Sequence, residues 1–356
     1  MRIRNSAAVF CCSWFFLLQL SAASLCLPNS SAVYVTNFDD NNVSVISTET
    51  HSIIATIDVA IAPEDITITP DGSTIYVSNR ASCSVSAIDT ATNTLITTIP
   101  VGLSPEAITM APDGTEVYVI TRSQCSIAII STETNTVTDR VRVQRCPIAL
   151  AITPNGEILY VLNYVAGTVC TIDIETHAVG NTVEVGEYPC ALAMTPNGAF
   201  IYMSNETDHT LSIVETATHT LTQKIPLAHT PYAFAISPDG NTLYAISNAD
   251  DVLFGINTSD YSVLEPIELG ISPIALTFTP DGKKLYVCND GSNTVSVIDP
   301  IEYKILATVE VGNEPHHVVV TPDGKMAYVT NVASHTVTVI EVATDTVTKT
   351  IELNTP

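Results

Sequence analysis

The feature that most constrains this chain is a turn sequence that returns every 42 residues without an insertion or deletion. Seven copies read Pro-Asp-Gly or Pro-Asn-Gly, and a Tyr follows each proline at six residues. The prolines are Pro70, Pro112, Pro154, Pro196, Pro238, Pro280 and Pro322. A degenerate copy, Pro28-Asn29-Ser30, lies one period upstream. A strict period near this length is typical of repeat architectures, in which each repeat forms one supersecondary unit.

One period contains four segments that read as β-strands. They are rich in Val, Ile and Thr, are bounded by turn residues, and span 63–70, 73–79, 82–89 and 93–101. Pro-Asp-Gly fits a type I turn between the first two strands, with glycine in the left-handed conformation. No window shows a sustained helical period. Four antiparallel strands per repeat predict an all-β fold, in which each repeat is one blade of a β-propeller.

The repeat arithmetic favours eight blades. Counting from the proline that opens each first strand divides 21–356 into eight equal units. The units are 21–62, 63–104, 105–146, 147–188, 189–230, 231–272, 273–314 and 315–356. The inner strand of the first blade would be Ser24–Leu27, at the end of a leader-like segment. The first blade is therefore incomplete if that strand is removed, and seven blades with leftover strands are the alternative.

The N-terminal segment has the pattern of a secretory signal peptide. Arg2 and Arg4 precede an apolar run over 7–20, and small residues follow it. The run is shorter than the ~20 residues that span a bilayer as a helix. We expect a signal peptide over 1–23 and a single domain over 24–356, with no transmembrane segment in the mature protein. Lipidation at Cys26 is the alternative. Either outcome exports the chain to a periplasmic, secreted or cell-surface location.

Short motifs add a resemblance to a known family. The sequence reads YVTN at 34–37 and 328–331, YVSN at 76–79, and NTVSVID at 293–299. With the Pro-Asp-Gly turns, these motifs resemble the YVTN-repeat β-propeller family. The resemblance implies a propeller, in a family of surface-layer and periplasmic proteins whose assigned roles are mostly binding. The second strands of the repeats that begin at 105 and 231 lack the motif's Asn.

The charge balance excludes one class of partner. The chain has 37 acidic and 13 basic residues, with a net charge of -24. A nucleic-acid binder needs a basic surface to neutralise phosphates, and we expect no nucleic-acid partner. A protein, a peptide or a surface polysaccharide is the expected partner of a monomeric propeller.

Strand direction places any binding site at one end of the channel. The loops before each first strand share one face with the loops between strands two and three, and we call this the mouth face. The other loops form the turn face. At the mouth, small or apolar residues are the rule, so charged, histidine and tyrosine residues stand out as candidates. The candidate ligand-binding residues are Glu64, Asp65, Glu106, Arg145, Tyr188, His229, Tyr232, His316 and His317.

Two interpretations of these residues remain open. Imidazole and carboxylate together suit a divalent transition metal, which would be the cofactor if there is one. The alternative is a solvated rim with no cofactor, where polar side chains carry no chemistry. Side chains of adjacent residues in a strand point to opposite sides, so His316 and His317 cannot both be ligands from a regular strand.

Cysteine positions predict one possible disulfide. Cys146 and Cys190 lie at the starts of successive inner strands, where a radius of ~8 Å gives a separation of ~6 Å. Cys83 and Cys125 occupy equivalent mid-blade positions about 11 Å apart, beyond disulfide reach. Cys170 and Cys288 read as small buried apolar residues.

Catalytic signatures are absent from the sequence. There is no GxSxG elbow, HExxH motif or Walker loop. We therefore predict an exported, non-catalytic propeller that binds its partner through the mouth face. A lactonase-like propeller hydrolase or lyase, with a site of His and carboxylate residues at the rim, is the alternative.

Overall fold

The computed structural model describes residues 32–353 as a ring of eight antiparallel sheets. The predicted all-β, eight-bladed β-propeller is confirmed, and the seven-bladed alternative is wrong. The predicted signal peptide and the expected inner strand Ser24–Leu27 lie outside the described residues. Blade 1 therefore has three described strands, and blades 2 to 8 have four each.

Each blade is a simple meander, because strands adjacent in the chain pair with each other. Blades 1 and 2 contain β1 Ala32–Asn37, β2 Asn42–Ser47, β3 Ile53–Asp58, β4 Pro63–Ile68, β5 Thr74–Asn79, β6 Ser84–Asp89 and β7 Thr94–Pro100. Blades 3 and 4 contain β8 Pro105–Met110, β9 Glu116–Thr121, β10 Ser126–Ser131, β11 Thr136–Arg142, β12 Pro147–Ile152, β13 Ile158–Asn163, β14 Thr168–Asp173 and β15 Val179–Glu184. Blades 5 and 6 contain β16 Pro189–Met194, β17 Phe200–Asn205, β18 Thr210–Glu215, β19 Thr220–Pro226, β20 Ala233–Ile236, β21 Thr242–Ser247, β22 Val252–Asn257 and β23 Ile267–Glu268. Blades 7 and 8 contain β24 Pro273–Phe278, β25 Leu285–Asn289, β26 Thr294–Asp299, β27 Lys304–Glu310, β28 Pro315–Val320, β29 Met326–Asn331, β30 Thr336–Glu341 and β31 Thr346–Glu352.

Helical structure is confined to two single turns in the described part of the chain. Both are 3₁₀ turns on the mouth face, Arg122–Gln124 and Asp290–Ser292. No helix within residues 32–353 is long and apolar enough to cross a membrane.

The Pro-Asp-Gly turn folds as its sequence predicts. In blade 2 the Gly72 N–H donates to the Thr69 carbonyl at 2.8 Å, and Gly72 has a φ of 75°. The Asp71 carboxylate accepts from the Ser73 N–H at 3.0 Å and from the Thr69 hydroxyl at 2.6 Å. Each turn therefore satisfies its own polar groups and needs no partner from outside the blade.

The hydrophobic core lies between the blades. Eight clusters of buried side chains fill the ring, one at each junction of neighbouring blades. The cluster between blades 8 and 1 contains Val33, Val35, Ile46, Val319, Tyr328, Val337, Val339 and Ile351. Blade 8 thus packs on blade 1 to close the ring, and within residues 32–353 the sheets exchange no strand.

At several junctions, a buried tyrosine on the second strand of one blade makes a hydrogen bond to the neighbouring blade. The Tyr34 hydroxyl donates to Asn93 Oδ1 at 2.9 Å, and Tyr286 donates to Asp345 Oδ1 at 2.9 Å. At the closing junction, the Tyr328 hydroxyl lies 2.8 Å from His51 Nδ1. The invariant Tyr of the repeat therefore has a structural role, as a polar contact across a largely apolar interface.

The predicted grouping of loops on two faces is also confirmed. On the mouth face, the loop after strand two donates to the loop before strand one, as in Arg80 N–H to the Ala62 carbonyl at 2.8 Å. The same bond joins Glu206 N–H to the Tyr188 carbonyl at 3.1 Å. Both kinds of loop therefore surround the same end of the channel.

Candidate functional site

The two ends of the central channel have opposite chemistry. At the mouth, the residues that follow the opening proline of each repeat include Glu64, Glu106, Cys190, Tyr232 and His316. At the turn-face end, the last residues of the inner strands line an apolar cavity of about 570 Å³. These last residues include Met110, Ile152, Met194, Ile236 and Phe278. Polar groups that could recognise a ligand thus lie at the mouth.

Two glutamates and two arginines form an ion-pair cluster at the mouth between blades 2 and 3. Arg80 Nε lies 3.7 Å from Glu64 Oε2, and Arg80 Nη2 lies 3.6 Å from Glu106 Oε1. Arg122 Nη1 donates to both oxygens of Glu106 at 3.3 Å. We call Glu64, Arg80, Glu106 and Arg122 the mouth cluster. Acidic and basic side chains alternate along the cluster, in the order Glu64, Arg80, Glu106 and Arg122. Its two carboxylates lie on neighbouring inner strands.

The carboxylates of the mouth cluster are buried. The side chains of Glu64 and Glu106 are 6% and 5% exposed. Burial, reinforced by the charge of Glu106, raises the pKa of Glu64 to about 8. Burial also raises the pKa of Glu106, against the opposing effect of Arg122 and Arg80. The expectation of a solvated rim is therefore wrong for these two residues, because the neighbouring blades and the arginines cover them.

Asp65 has a structural role in the same region. Its Oδ1 accepts from the Ile66 N–H at 2.8 Å, and its Oδ2 accepts from the Ile108 N–H at 3.0 Å. The second bond crosses from blade 2 to the inner strand of blade 3. Asp65 therefore stabilises the junction beneath the mouth cluster.

His316 and His317 lie side by side, which a regular strand would not allow. The pairing of β28 with β29 shifts register between Pro315 and His317, and this bulge changes the direction of the side chains. The two ring centroids are 5.9 Å apart, and the rings are inclined by 14°. Burial, with a smaller effect of His316, lowers the pKa of His317 to about 4, so this imidazole is neutral near pH 7.

Within residues 32–353, no group of three or more His, Cys, Asp or Glu side chains is placed to hold one metal ion. Two adjacent imidazoles alone fall short of the ligand sets that hold divalent metals in proteins.

The remaining predicted residues are dispersed around the rim. Arg145 is exposed. Tyr188 is 44% exposed and its ring packs against Tyr164 with centroids 5.0 Å apart. His229 Nδ1 lies 3.0 Å from Asp250 Oδ2. The structure therefore brings together Glu64, Asp65 and Glu106, but it does not gather all nine predicted residues into one site.

Tyr232 is less exposed than Tyr188, the other tyrosine among the predicted residues. It is half-buried at the start of blade 6, and its side chain packs against the cluster that joins blades 6 and 7. Burial, with smaller effects of Cys190 and Asp290, raises the pKa of its phenol to about 12. The phenol therefore stays protonated near pH 7.

The predicted disulfide is not formed in the structure, where Cys146 and Cys190 are both free. Cys146 precedes the opening proline of its blade, and its Sγ accepts from Arg122 Nε at 3.1 Å, back toward blade 3. Cys190 follows the equivalent proline, and its Sγ lies 3.1 Å from Ser204 Oγ. The prediction compared their radii but not this difference in position, which turns the two thiols toward different neighbours. Cys170 and Cys288 are buried as predicted.

Sequence reasoning missed the arginines of the mouth cluster. Each follows its glutamate by 16 residues, in two consecutive repeats: Glu64 with Arg80, and Glu106 with Arg122. The second strand returns to the mouth, so this offset places both residues at the same end of a blade. A search for charge pairs at equal offset in neighbouring repeats would have found them.

Exposed apolar side chains are a second feature that the sequence did not reveal. Large apolar residues that are more than two-fifths exposed occur on mouth-face loops all around the ring. They are Phe38, Ile61, Leu103, Val165, Tyr188, Ile271 and Val332. Phe38 and Leu103 line a pocket of about 440 Å³ together with Ala62 and Arg80. This pocket therefore adjoins the mouth cluster.

The loops of the turn face expose fewer large apolar side chains, although the end of the channel on this face holds the apolar cavity of about 570 Å³. In its described part, Ile301 is the most exposed large apolar side chain of the turns, at 85%, and Val263 and Leu264 in the loop between β22 and β23 are 46% and 40% exposed. The other exposed large apolar residues of the described chain lie at the outer edges of the blades. An exposed apolar patch ringed by polar residues is typical of an interaction surface, and the mouth face fits that description.

Comparisons with family models cover two separate parts of the chain. Residues 28–138 match a model described as lactonase, seven-bladed beta-propeller, and residues 282–354 match a YNCE-like beta-propeller model. Both are propeller families, so they agree with the fold, and neither match reaches half of the chain. Among curated proteins, none is significantly similar in sequence.

Similar solved structures also share the propeller fold. Hydrazine synthase from Kuenenia stuttgartiensis is 22% identical with a TM-score of 0.65, over 80% of this chain and 96% of that one. Dihydro-heme d1 dehydrogenase NirN in complex with DHE is 15% identical with a TM-score of 0.82, over 91% and 73%. A protein of unknown function from Desulfotomaculum acetoxidans is 19% identical with a TM-score of 0.64, over 78% and 95%. At these identities the likeness concerns the fold alone.

Proposed function

We propose that this chain is an exported β-propeller that binds a partner polypeptide through its mouth face. The observation that carries the proposal is the ring of seven exposed large apolar side chains on the mouth loops, compared with three on the turn-face loops, Val263, Leu264 and Ile301. Aliphatic and aromatic side chains at the centre of an interface supply most of the binding free energy between proteins. The channel mouth, with its charged and tyrosine side chains, adds polar contacts that give specificity.

The test is capture of a partner by the purified protein from an extract of the source cells. A variant with Ile61→Asp, Leu103→Asp and Ile271→Asp should lose the partners that the wild type captures, because carboxylates replace apolar contacts around the mouth. Ile301→Asp on the turn face is the matched control and should retain them. Equal capture by the two variants would exclude the mouth face. Capture that a soluble polysaccharide competes away would assign the surface to a polymer.

A second candidate function is favoured by the match to the lactonase model over residues 28–138. This segment contains the whole mouth cluster, and the raised pKa of Glu64 suits a group that donates or accepts a proton near pH 7. Lactone-ring opening by the wild type, lost in Glu64→Gln, would establish this function. Equal rates for wild type, variant and buffer would exclude it.

A further inference from the structure

We propose that the mouth cluster binds a primary ammonium group of the partner, a lysine side chain or a free amino terminus, against the carboxylate of Glu64. The inference rests on the proposed function, since it names the chemistry of a partner that the mouth face binds. Three observations carry it: a missing hydrogen-bond donor at Glu64, the charge of the surrounding loops, and the neighbouring apolar pocket.

The first observation is the incomplete coordination of Glu64. Its Oε2 is buried and has no hydrogen-bond partner among the described residues. Arg80 approaches it only to 3.7 Å, because the same guanidinium also faces Glu106 at 3.6 Å. Arg122 donates to Glu106 and to Cys146. A buried carboxylate oxygen without a donor is unfavourable, and a ligand that supplies the donor removes that cost.

The balance of charge identifies the donor as a cation. Three carboxylates, those of Glu64, Asp65 and Glu106, face two guanidinium groups. Asp65 is already satisfied by two backbone N–H groups. When all three are ionised, one carboxylate lacks a full counter-charge, and without a ligand Glu64 avoids this deficit by holding a proton near pH 7. An ammonium is compact and has three donors, so it fits beside a single buried oxygen better than the larger planar guanidinium.

The surrounding loops favour the approach of a cation. Acidic side chains follow the mouth face around the ring, whereas its loops carry few basic ones. The acidic residues include Asp39, Asp40, Glu187, Glu206, Asp290 and Glu314. A surface of one sign raises the local concentration of ligands of opposite charge and speeds their association.

The pocket beside the cluster has room for the rest of the ligand. Its walls include Phe38, Ala62 and Leu103, and its volume is about 440 Å³. Arg80 lines the pocket and also approaches Glu64, so an ammonium at Glu64 and an apolar side chain in the pocket would both adjoin this arginine. A polypeptide with a lysine next to apolar residues has this pattern.

Binding should release a proton. The charged groups that act on Glu64 are Glu106, Arg80, Asp65 and Arg122, and burial keeps its carboxyl protonated near pH 7. An ammonium beside it favours the carboxylate, so the neutral carboxyl and the cation give an ion pair and one free proton. A site where Glu64 served only to support the fold would release none.

The experiment uses the purified exported protein and two synthetic peptides. The probe is a capped pentapeptide of leucine, lysine, leucine, glycine and tyrosine, and its control has an acetylated lysine. Titration calorimetry at pH 7, in two buffers of different ionisation enthalpy, gives both affinity and proton release. We expect the lysine peptide to bind about tenfold or more tightly than the control, since a charge-assisted hydrogen bond is lost on acetylation. A fraction of a proton should leave per peptide.

Two variants make the test specific. Glu64→Gln has the shape of the protonated glutamate, so it should fold normally, lose the preference for lysine and release no proton. Glu133→Gln changes an exposed acid of the turn face, between β10 and β11, and should keep both effects. Equal affinity for the two peptides, absence of binding by either, or a preference that survives in Glu64→Gln would each overturn the ammonium site. Partner binding by the mouth face is tested separately, by partner capture with the variant that carries Ile61→Asp, Leu103→Asp and Ile271→Asp. Failure of the ammonium site would therefore not exclude the mouth face.

Discussion

The two faces of the ring are built from the same repeat, yet they differ in almost every property of their loops. On the turn face, each Pro-Asp-Gly turn is closed by its own aspartate or asparagine and by a left-handed glycine. On the mouth face, the equivalent loops vary from blade to blade and leave apolar side chains exposed. Loops that satisfy themselves can repeat unchanged, whereas loops that bind a partner must present different groups. We infer that the turn face maintains the ring and the mouth face meets the partner.

The largest effect that tests this difference is a side chain added to a turn-face glycine. A Cβ at Gly198, where φ is 70°, would lie 2.5 Å from Pro154 Cδ of the preceding blade. Gly198→Ala should lower the free energy of unfolding by about 3 kcal/mol, because left-handed strain and overpacking add. Gly240→Ala is the matched control, since its Cβ would lie 3.5 Å from Pro196 and only the strain remains. Urea unfolding measures the free energy of unfolding of both variants. Equal losses would contradict the contribution assigned to the close contact with Pro154.

On the mouth face, the contribution of the buried Glu64 to the stability of the fold should depend on pH. The pKa of Glu64 is raised to about 8 in the folded chain, so the protonated carboxyl stabilises the fold fully below its ordinary pKa. That contribution is lost as pH rises through about 8. The thermal midpoint of the wild type should therefore fall relative to Glu64→Gln between pH 5 and 9. A constant difference between the two midpoints would show that the burial of Glu64 has no energetic consequence.

The tyrosine links should have a smaller and uniform effect. Tyr328→Phe removes the hydroxyl contact to His51 at the closing junction, and Tyr34→Phe removes the contact to Asn93 inside the ring. Each should cost about 1 kcal/mol, the usual value of one hydrogen bond. If the closing junction is like the others, urea unfolding gives equal losses. No loss in either variant would assign the repeated tyrosine to packing alone.

The smallest effect on stability should come from the exposed mouth-face residues. Leu103 is 53% exposed and packs little into the core, so Leu103→Ser should change the free energy of unfolding by less than about 0.5 kcal/mol. The same change should weaken partner capture. A large loss of stability would mean that Leu103 serves the fold, and the contrast between the faces would disappear at this position.

Much of the fold could be predicted from particular residues. The Pro-Asp-Gly turns, the strands between them and the face on which each loop lies all follow from contacts within one repeat. The candidate functional site was harder to predict from the sequence. Glu64 and Glu106 were predicted because they break the pattern of their repeat, but their burial was not, since it depends on Arg80 and Arg122. The direction of the Cys146 and Cys190 thiols is likewise a consequence of packing. The bulge that turns His316 beside His317 recurs after the opening proline of other blades, so it belongs to the repeat, but the sequence pattern did not reveal it.

The sequence by itself determined the repeating unit of this protein, because the 42-residue period acts through local turns and strand propensities that need no distant partner. It favoured eight blades over seven, and the eight sheets of the structure decided that number. Only the tertiary structure decided which irregular residues meet, and in what environment. The pKa of Glu64, the donor missing at its Oε2 and the apolar pocket beside it all arise where blades 1, 2 and 3 pack together. Burial and electrostatic coupling are properties of that packing, so they depend on residues that are separated in the chain but adjacent in the ring.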